Sequence, residues 1–192
     1  MIRDLLLAPN QLTLMRLVFV PFIVICALDN HWGAALTLFV LAGISDGLDG
    51  WLARRLHQRT VLGQYLDPVA DKLLLSGLFL VLSMVHRIPW RYTVLVFSRD
   101  ICIVATAALL YIVSGLRDFR PSFFGKANTG AQVTALFFVL VAQVVPHFWV
   151  IWTQHVLLQI VFVLTLLSGL HYIVLTGQRM KGRTKTYELQ EK

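Results

Sequence analysis

Residues 46–71 read DGLDGWLARRLHQRTVLGQYLDPVAD, and this stretch sets the chain apart. It carries four aspartates, Asp46, Asp49, Asp67 and Asp71, in a chain that is otherwise strongly apolar. An ionised carboxylate in hydrocarbon costs about 3 kcal/mol or more, so a membrane protein keeps four together only where something compensates their charge. Bound divalent metal is the compensation that the pattern favours, and chemistry on a phosphate is the purpose it indicates.

The composition assigns the chain to the polytopic membrane proteins. Of its 192 residues, 57% are hydrophobic and only 14% are charged, and the mean hydropathy is +0.71. A soluble domain of this size has too little interior for that much apolar surface. We therefore expect one all-α membrane domain over residues 1–177, followed by a polar cytoplasmic tail over residues 178–192.

Six apolar segments are long enough, or nearly so, to cross about 30 Å of hydrocarbon as helices. The breaks between them are short, which predicts that neighbouring helices run antiparallel. Residues 1–10 lack the pattern of a signal peptide and are expected to form a short interfacial segment before the first span. The predicted transmembrane helices lie near residues 12–29, 31–56, 64–86, 90–116, 124–145 and 149–176.

The distribution of basic residues predicts the orientation of this bundle. Most Lys and Arg residues fall at the end that carries both termini and the loop after the second span, whereas the opposite end has only Arg87 and Arg91. That asymmetry places both termini in the cytoplasm. We interpret the formal net charge of +7 as topology signals and contacts with anionic lipid, and expect no nucleic-acid partner.

Helical geometry gathers the four aspartates. Asp67 and Asp71 are four residues apart on one helix, where Pro68 is acceptable if the helix begins only about a turn earlier. A short loop would fold this helix against the preceding one, so that the four carboxylates converge at the cytoplasmic end of the bundle. The preceding helix presents its part of the motif on one face. The residues on that face are Asp46, Asp49, Gly50, Ala53 and Arg54.

The donor set indicates which ligand these residues would hold. Carboxylate oxygens with no His or Cys nearby suit hard cations, which favours Mg²⁺ or Mn²⁺ over Zn²⁺. Two divalent ions would offset four formal negative charges and would clamp the attacking and leaving oxygens of a displacement at phosphorus. Gly50 and Ala53 would leave a groove, and Arg54 would reach a phosphate. The alternative is that the aspartates are water-facing ends of spans, which explains a single Asp better than four on one surface.

The spacing D-x₂-D-G-x₂-A-R-x₈-G-x₃-D-x₃-D is filled at every fixed position and resembles the signature of the CDP-alcohol phosphotransferases. The resemblance implies that the four aspartates hold two metal ions and that Asp71 is also the general base. Six transmembrane helices and a homodimer are typical of this family. The resemblance also implies that the cytidine diphosphate is held by Gly50, Ala53, Arg54 and Gly63.

Other segments are similar to the branch of phosphatidylglycerophosphate and cardiolipin synthases. The implied reaction transfers a phosphatidyl group from CDP-diacylglycerol to an acceptor hydroxyl and releases CMP. The site would face the cytoplasm, in a bacterial inner membrane rather than an organelle. The matching segments are P-N-Q-L-T-L-M-R at residues 9–16, L-D-P-V-A-D-K at 66–72, S-R-D at 98–100 and K-A-N-T-G-A-Q at 126–132.

The resemblance leaves two acceptors open. Glycerol 3-phosphate comes first, and phosphatidylglycerol is the alternative because Ser98-Arg99-Asp100 looks more like the cardiolipin synthases. A cationic pocket suits the phosphate of either, and an Arg within an apolar span should face the site or a partner. For Arg99 the alternative is an ion pair with Asp100 or another helix, although adjacent residues do not face each other on a helix. The predicted acceptor contacts are Asn10, Thr13, Arg16, Arg99 and Lys126.

Two other classes of protein compete with the enzyme. A cation transporter would use intramembrane aspartates as transport sites, but it would have broken helices near the midplane. The predicted position of the aspartates near one membrane face, beside a basic loop, favours the enzyme. A non-catalytic membrane partner would keep every activity of its assembly after substitution of Asp71.

Overall fold

A computed structural model describes the backbone of residues 8–55, 61–114 and 123–190, and the side chains of residues 11–48, 55, 67–105 and 125–170. These residues form six α-helices and no strand. The helices are α1 Ala8–Leu28, α2 Trp32–Arg55, α3 Val61–Met84, α4 Trp90–Ser114, α5 Phe123–Val144 and α6 Phe148–Gln190.

The helical class and the membrane character of the chain are confirmed. Within the residues whose side chains are described, three helices are long and apolar enough to cross a bilayer, over Gln11–Leu28, Gly125–Val144 and Phe148–Leu170, and a shorter apolar helix covers Trp32–Leu48. The other two helices, α3 and α4, have 24 and 25 residues, which is about 36 Å of helix each. Their crossing of the bilayer and the orientation of the bundle stay predictions.

The turns after α1 and α3 have the same construction. Asn30 and His86 both have φ of 59°, the left-handed conformation that commonly ends a helix. After α1 the N–H of His31 donates to the carbonyl of Cys26 at 2.8 Å, and after α3 the N–H of Arg87 donates to that of Leu82 at 2.7 Å. These bonds satisfy carbonyls at the helix ends and allow a sharp reversal, as the short breaks predict.

Helix α3 lies at the centre of the packing, because it contacts α1, α4 and α5. Its side chains Leu78, Phe79 and Leu82 are at most 1% exposed. The pair α1 and α2 packs closely, since fully buried alanines such as Ala27 and Ala35 let two helix backbones approach. Helix α6 covers α4 and α5 on the other side. The bundle thereby fixes the residues of α1, α2, α3 and α5 against one another.

Three helix boundaries differ from the predicted spans by three residues or more. Helix α1 begins at Ala8 rather than near residue 12. Pro9 is tolerated in the first turn, because the N–H groups of that turn have no hydrogen-bond partner within the helix. The prediction that α3 begins only about a turn before Pro68 is wrong: α3 begins at Val61, so this proline lies in the helix interior. Helix α6 runs on to Gln190, since the polar residues after 178 include good helix formers such as Gln, Arg, Lys and Glu. The interfacial segment predicted for residues 1–10 lies mostly outside the described residues.

Candidate active site

Three of the four aspartates are described with their side chains. Asp46 lies in the C-terminal half of α2, and Asp67 and Asp71 lie in the N-terminal half of α3. Because the two helices are consecutive and separated by a short break, these halves belong to the same end of the bundle. Asp49 also lies in α2, and its side chain is outside the described residues.

A guanidinium from α1 joins two of these carboxylates. The side chain of Arg16 is 0% exposed. Its Nη2 lies 2.6 Å from Oδ1 of Asp46, and its Nη1 donates to Oδ1 of Asp71 at 2.5 Å. A planar guanidinium presents its N–H groups in a fixed fork, so the two carboxylates lie on two sides of one cation. The aspartates of α2 and α3 are thereby brought together.

The third carboxylate is held from the same helix. Thr13 lies one turn before Arg16 in α1 and is 2% exposed. Its hydroxyl donates to Oδ1 of Asp67 at 2.6 Å. Asp46 and Asp71 remain half-exposed, with 50% and 42% of their side-chain surface accessible. The cluster is therefore held by residues of α1 and remains accessible to a ligand.

A cavity of about 180 Å³ opens beside this cluster, between α1, α2, α3 and α5. Its polar lining comes from four side chains, Arg16, Asp46, Asp71 and Thr129. On α2 the small residues Ala42 and Gly43 give room, and a Cβ placed on Gly43 would meet no atom within 4 Å. The rest of the lining is apolar and consists of Phe39, Leu74, Leu75 and Val133.

The donor set fits hard divalent cations. Carboxylate oxygens are the ligands that Mg²⁺ and Mn²⁺ prefer, and a buried guanidinium shows that this position attracts positive charge. Within the part of the chain whose side chains are described, no three His, Cys, Asp or Glu residues are close enough to hold a metal ion together. The side chain of the fourth aspartate of the motif, Asp49, lies outside that part of the chain. The predicted metal site therefore stays a prediction, supported by its donors.

A second polar cluster joins α3, α4 and α6. Asp100 pairs with Lys72, and its Oδ1 lies 2.9 Å from Nη1 of Arg99. Arg99 also donates through Nη2 to the hydroxyl of Ser168 at 3.1 Å. Arg99 therefore forms the ion pair with Asp100 that was the alternative above, and the expectation that adjacent residues on a helix do not meet is wrong here. An arginine side chain is long enough to bend back along the helix surface to a neighbouring carboxylate.

The remaining predicted site residues are placed only in part. Lys126 lies in the first turn of α5 with an exposed side chain. For the other predicted site residues the structure describes the backbone only. Asn10 lies in α1, the nucleotide-binding residues Gly50, Ala53 and Arg54 lie in α2, and Gly63 lies in α3.

Three buried or half-buried polar residues of α5 were not among the predicted site residues. Thr129 lines the cavity, and Asn128 and Gln132 are buried to 0% and 1% exposure. Asn128 accepts a hydrogen bond from Thr165 of α6 at 3.0 Å, whereas its Nδ2 and Nε2 of Gln132 have no partner among the described residues. Polar residues at positions i, i+1 and i+4 of an apolar helix were the available signal, because they mark a face turned to the protein interior.

Comparison with known proteins shows the family of the chain. Residues 6–173 match the family model of CDP-alcohol phosphatidyltransferase. The chain therefore belongs to the CDP-alcohol phosphatidyltransferase family, and it is an integral membrane protein. It is 36% identical to an Escherichia coli K12 protein named "CDP-diacylglycerol--glycerol-3-phosphate 3-phosphatidyltransferase", across 86% of this chain and 92% of the relative. A relative of the same name from Shigella flexneri serotype 5b has the same identity and coverage.

Proposed function

We propose that this protein transfers a phosphatidyl group from CDP-diacylglycerol to glycerol 3-phosphate and releases CMP. The family membership supports a phosphatidyltransferase over a cation transporter. The name of the similar Escherichia coli protein supports glycerol 3-phosphate as the acceptor. The observation that carries the proposal is the meeting of Asp46 and Asp71 on Arg16, because it joins the two halves of the motif at one cavity.

The acidic cluster is proposed to hold two divalent cations, Mg²⁺ or Mn²⁺. The residues for this role are the four aspartates of the motif, of which Asp46 and Asp71 line the cavity. When bound, the cations would supply positive charge to the pyrophosphate oxygens and stabilise the charge that develops at phosphorus. The cytidine diphosphate is proposed to lie along the end of α2 and the start of α3. Its contacts are assigned to Gly50, Ala53, Arg54 and Gly63.

Asp71 is proposed as the general base. A base must be within hydrogen-bond reach of the proton it removes, and this carboxylate lines the cavity with 42% of its side chain accessible. The acceptor hydroxyl gives its proton to Asp71, and its oxygen forms a new bond to the phosphorus that carries diacylglycerol. The bond between that phosphorus and the oxygen of CMP breaks, so CMP leaves with the electron pair.

The acceptor is proposed to be bound through its phosphate. Arg99 is 10% exposed on its side chain and is already paired with Asp100, while Lys126 is exposed at the start of α5. The acceptor contacts predicted for Asn10, Thr13 and Arg16 stay predictions. The contacts that the structure shows for Thr13 and Arg16 are with aspartates. We further propose that the site faces the cytoplasm of a bacterial inner membrane and that the protein forms a homodimer.

The proposal is tested by offering purified protein CDP-diacylglycerol and Mg²⁺ with one acceptor at a time. The acceptors are glycerol 3-phosphate, phosphatidylglycerol, serine and inositol phosphate, and the lipid product is identified by mass spectrometry. We expect phosphatidylglycerophosphate and an equal amount of CMP from glycerol 3-phosphate alone. Cardiolipin from phosphatidylglycerol, with no product from glycerol 3-phosphate, would replace this acceptor by the alternative. No CMP release with any acceptor would contradict the transferase.

A further inference from the structure

Helix α1 carries none of the four aspartates of the motif, yet it contacts three of them. Thr13 and Arg16 lie one turn apart on one face of α1, and both are buried. Between them they donate to Asp67 and Asp71 of α3, 54 and 55 residues away in sequence. Arg16 also forms an ion pair with Asp46 of α2. The polar contacts of this helix face are thus directed at the carboxylates of two other helices.

The contacts share one atomic detail. Each of the three hydrogen bonds or ion pairs uses Oδ1 of its carboxylate. A carboxylate has two oxygens and binds a cation with one while the other accepts a hydrogen bond. Partners of that kind fix the orientation of metal-binding groups and commonly change metal affinity 10- to 100-fold when removed.

We infer that Thr13 and Arg16 are positioning residues, which hold the carboxylates of α2 and α3 in the orientation that binds divalent cations. The inference rests on the proposed function and deepens it. The guanidinium is the fixed positive charge that keeps two like-charged carboxylates together before any cation binds. Thr13 sets the orientation of Asp67 without adding charge. Neither residue needs to touch the substrate for this role.

The first test measures Mn²⁺ binding to purified protein by electron paramagnetic resonance, without substrate. Thr13→Val removes the hydroxyl and keeps the shape of the side chain. We expect its Mn²⁺ affinity to fall about tenfold, with an unchanged melting temperature, and we expect Thr13→Ser to retain the wild-type affinity. Thr37→Val is the matched control, because the hydroxyl of Thr37 is exposed and bonds only to the carbonyl of Gly33 in its own helix.

The second test keeps the positive charge at position 16 and removes the planar guanidinium with its fixed N–H donors. In Arg16→Lys a single ammonium replaces the planar group that joins Asp46 and Asp71. We expect weaker Mn²⁺ binding and a higher Mg²⁺ concentration for half-maximal turnover, at a KM for CDP-diacylglycerol close to that of wild type. A purely structural ion pair would lower the melting temperature and leave the cation affinity of the folded protein unchanged.

The outcomes separate this inference from the proposed function. If folded Thr13→Val and Arg16→Lys proteins bind Mn²⁺ as tightly as wild type, the inference is overturned and the proposed function is not. Wild-type protein that binds no Mn²⁺ overturns the cation site and the inference with it. Weaker binding in both variants, with Thr13→Ser and Thr37→Val at the wild-type value, supports the assignment.

Discussion

Lys72 of α3 and Asp100 of α4 form an ion pair directly beside the acidic cluster, since Lys72 follows Asp71 in the chain. Asp100 also accepts from Arg99, whose side chain is 10% exposed. One carboxylate therefore serves two cations from two helices. Arg99 extends the contact to α6 through Ser168. The ion pair thereby links α3 to α4.

Replacing Asp100 should cost more stability than replacing Lys72. Asp100→Ala leaves the nearly buried guanidinium of Arg99 without its carboxylate, and loss of one partner of a buried pair costs about 3 kcal/mol. Lys72 has 43% of its side chain accessible, so Lys72→Met should cost less than about 1 kcal/mol. Unfolding free energies in mixed micelles measure both. Equal losses would show that Arg99 does not depend on Asp100.

Asp71→Asn should abolish turnover without unfolding the protein. An amide cannot accept the acceptor's proton, and a general base contributes at least about 100-fold to rate. We expect kcat to fall by at least that factor in protein that stays folded, because Arg16 keeps its ion pair with Asp46. Asp29→Asn is the control, because Asp29 is exposed just beyond the end of α1. Substantial turnover by folded Asp71→Asn protein would remove the base from this position.

A buried hydroxyl pair should contribute measurably to the packing of α4 on α3. The hydroxyl oxygens of Ser83 and Thr93 lie 2.5 Å apart, and Thr93 also donates to the carbonyl of Phe79 at 3.0 Å. We expect Thr93→Val to lower the unfolding free energy by about 1 kcal/mol. Thr134→Val should have no effect, since its exposed hydroxyl bonds only to its own helix. A Thr93→Val protein as stable as the control would show that the pair is energetically neutral.

Lys126→Met should weaken acceptor use selectively. If the ammonium contacts the phosphate of glycerol 3-phosphate, its loss should raise the KM for this acceptor about tenfold, which is the size of one charge-assisted hydrogen bond. The KM for CDP-diacylglycerol should stay at its wild-type value. Arg91→Met serves as control, because Arg91 is exposed in the first turn of α4. Equal increases in the KM values for both substrates would contradict a specific contact between Lys126 and the acceptor phosphate.

The helices of this protein are largely predictable from its sequence, and the contacts of the site are not. The apolar runs predict six helices, because hydrocarbon offers no hydrogen-bond partner to backbone N–H and C=O groups. Each run must therefore form its backbone hydrogen bonds within itself. The motif spacing predicts that Asp67 and Asp71 share a face. The contacts of Thr13 and Arg16 depend on how α1 packs against α2 and α3. A pairing across more than 50 residues leaves no periodic signal.

The central claim is that aspartates from α2 and α3 gather divalent cations beside the reacting phosphate. Anomalous diffraction from crystals grown with Mn²⁺ and CDP-diacylglycerol tests it most directly. We expect two peaks between α2 and α3, with Oδ2 of Asp46, Asp67 and Asp71 at about 2.1 Å from an ion. A nucleotide bound with no ion at these carboxylates, or ions bound elsewhere in the bundle, would contradict the account.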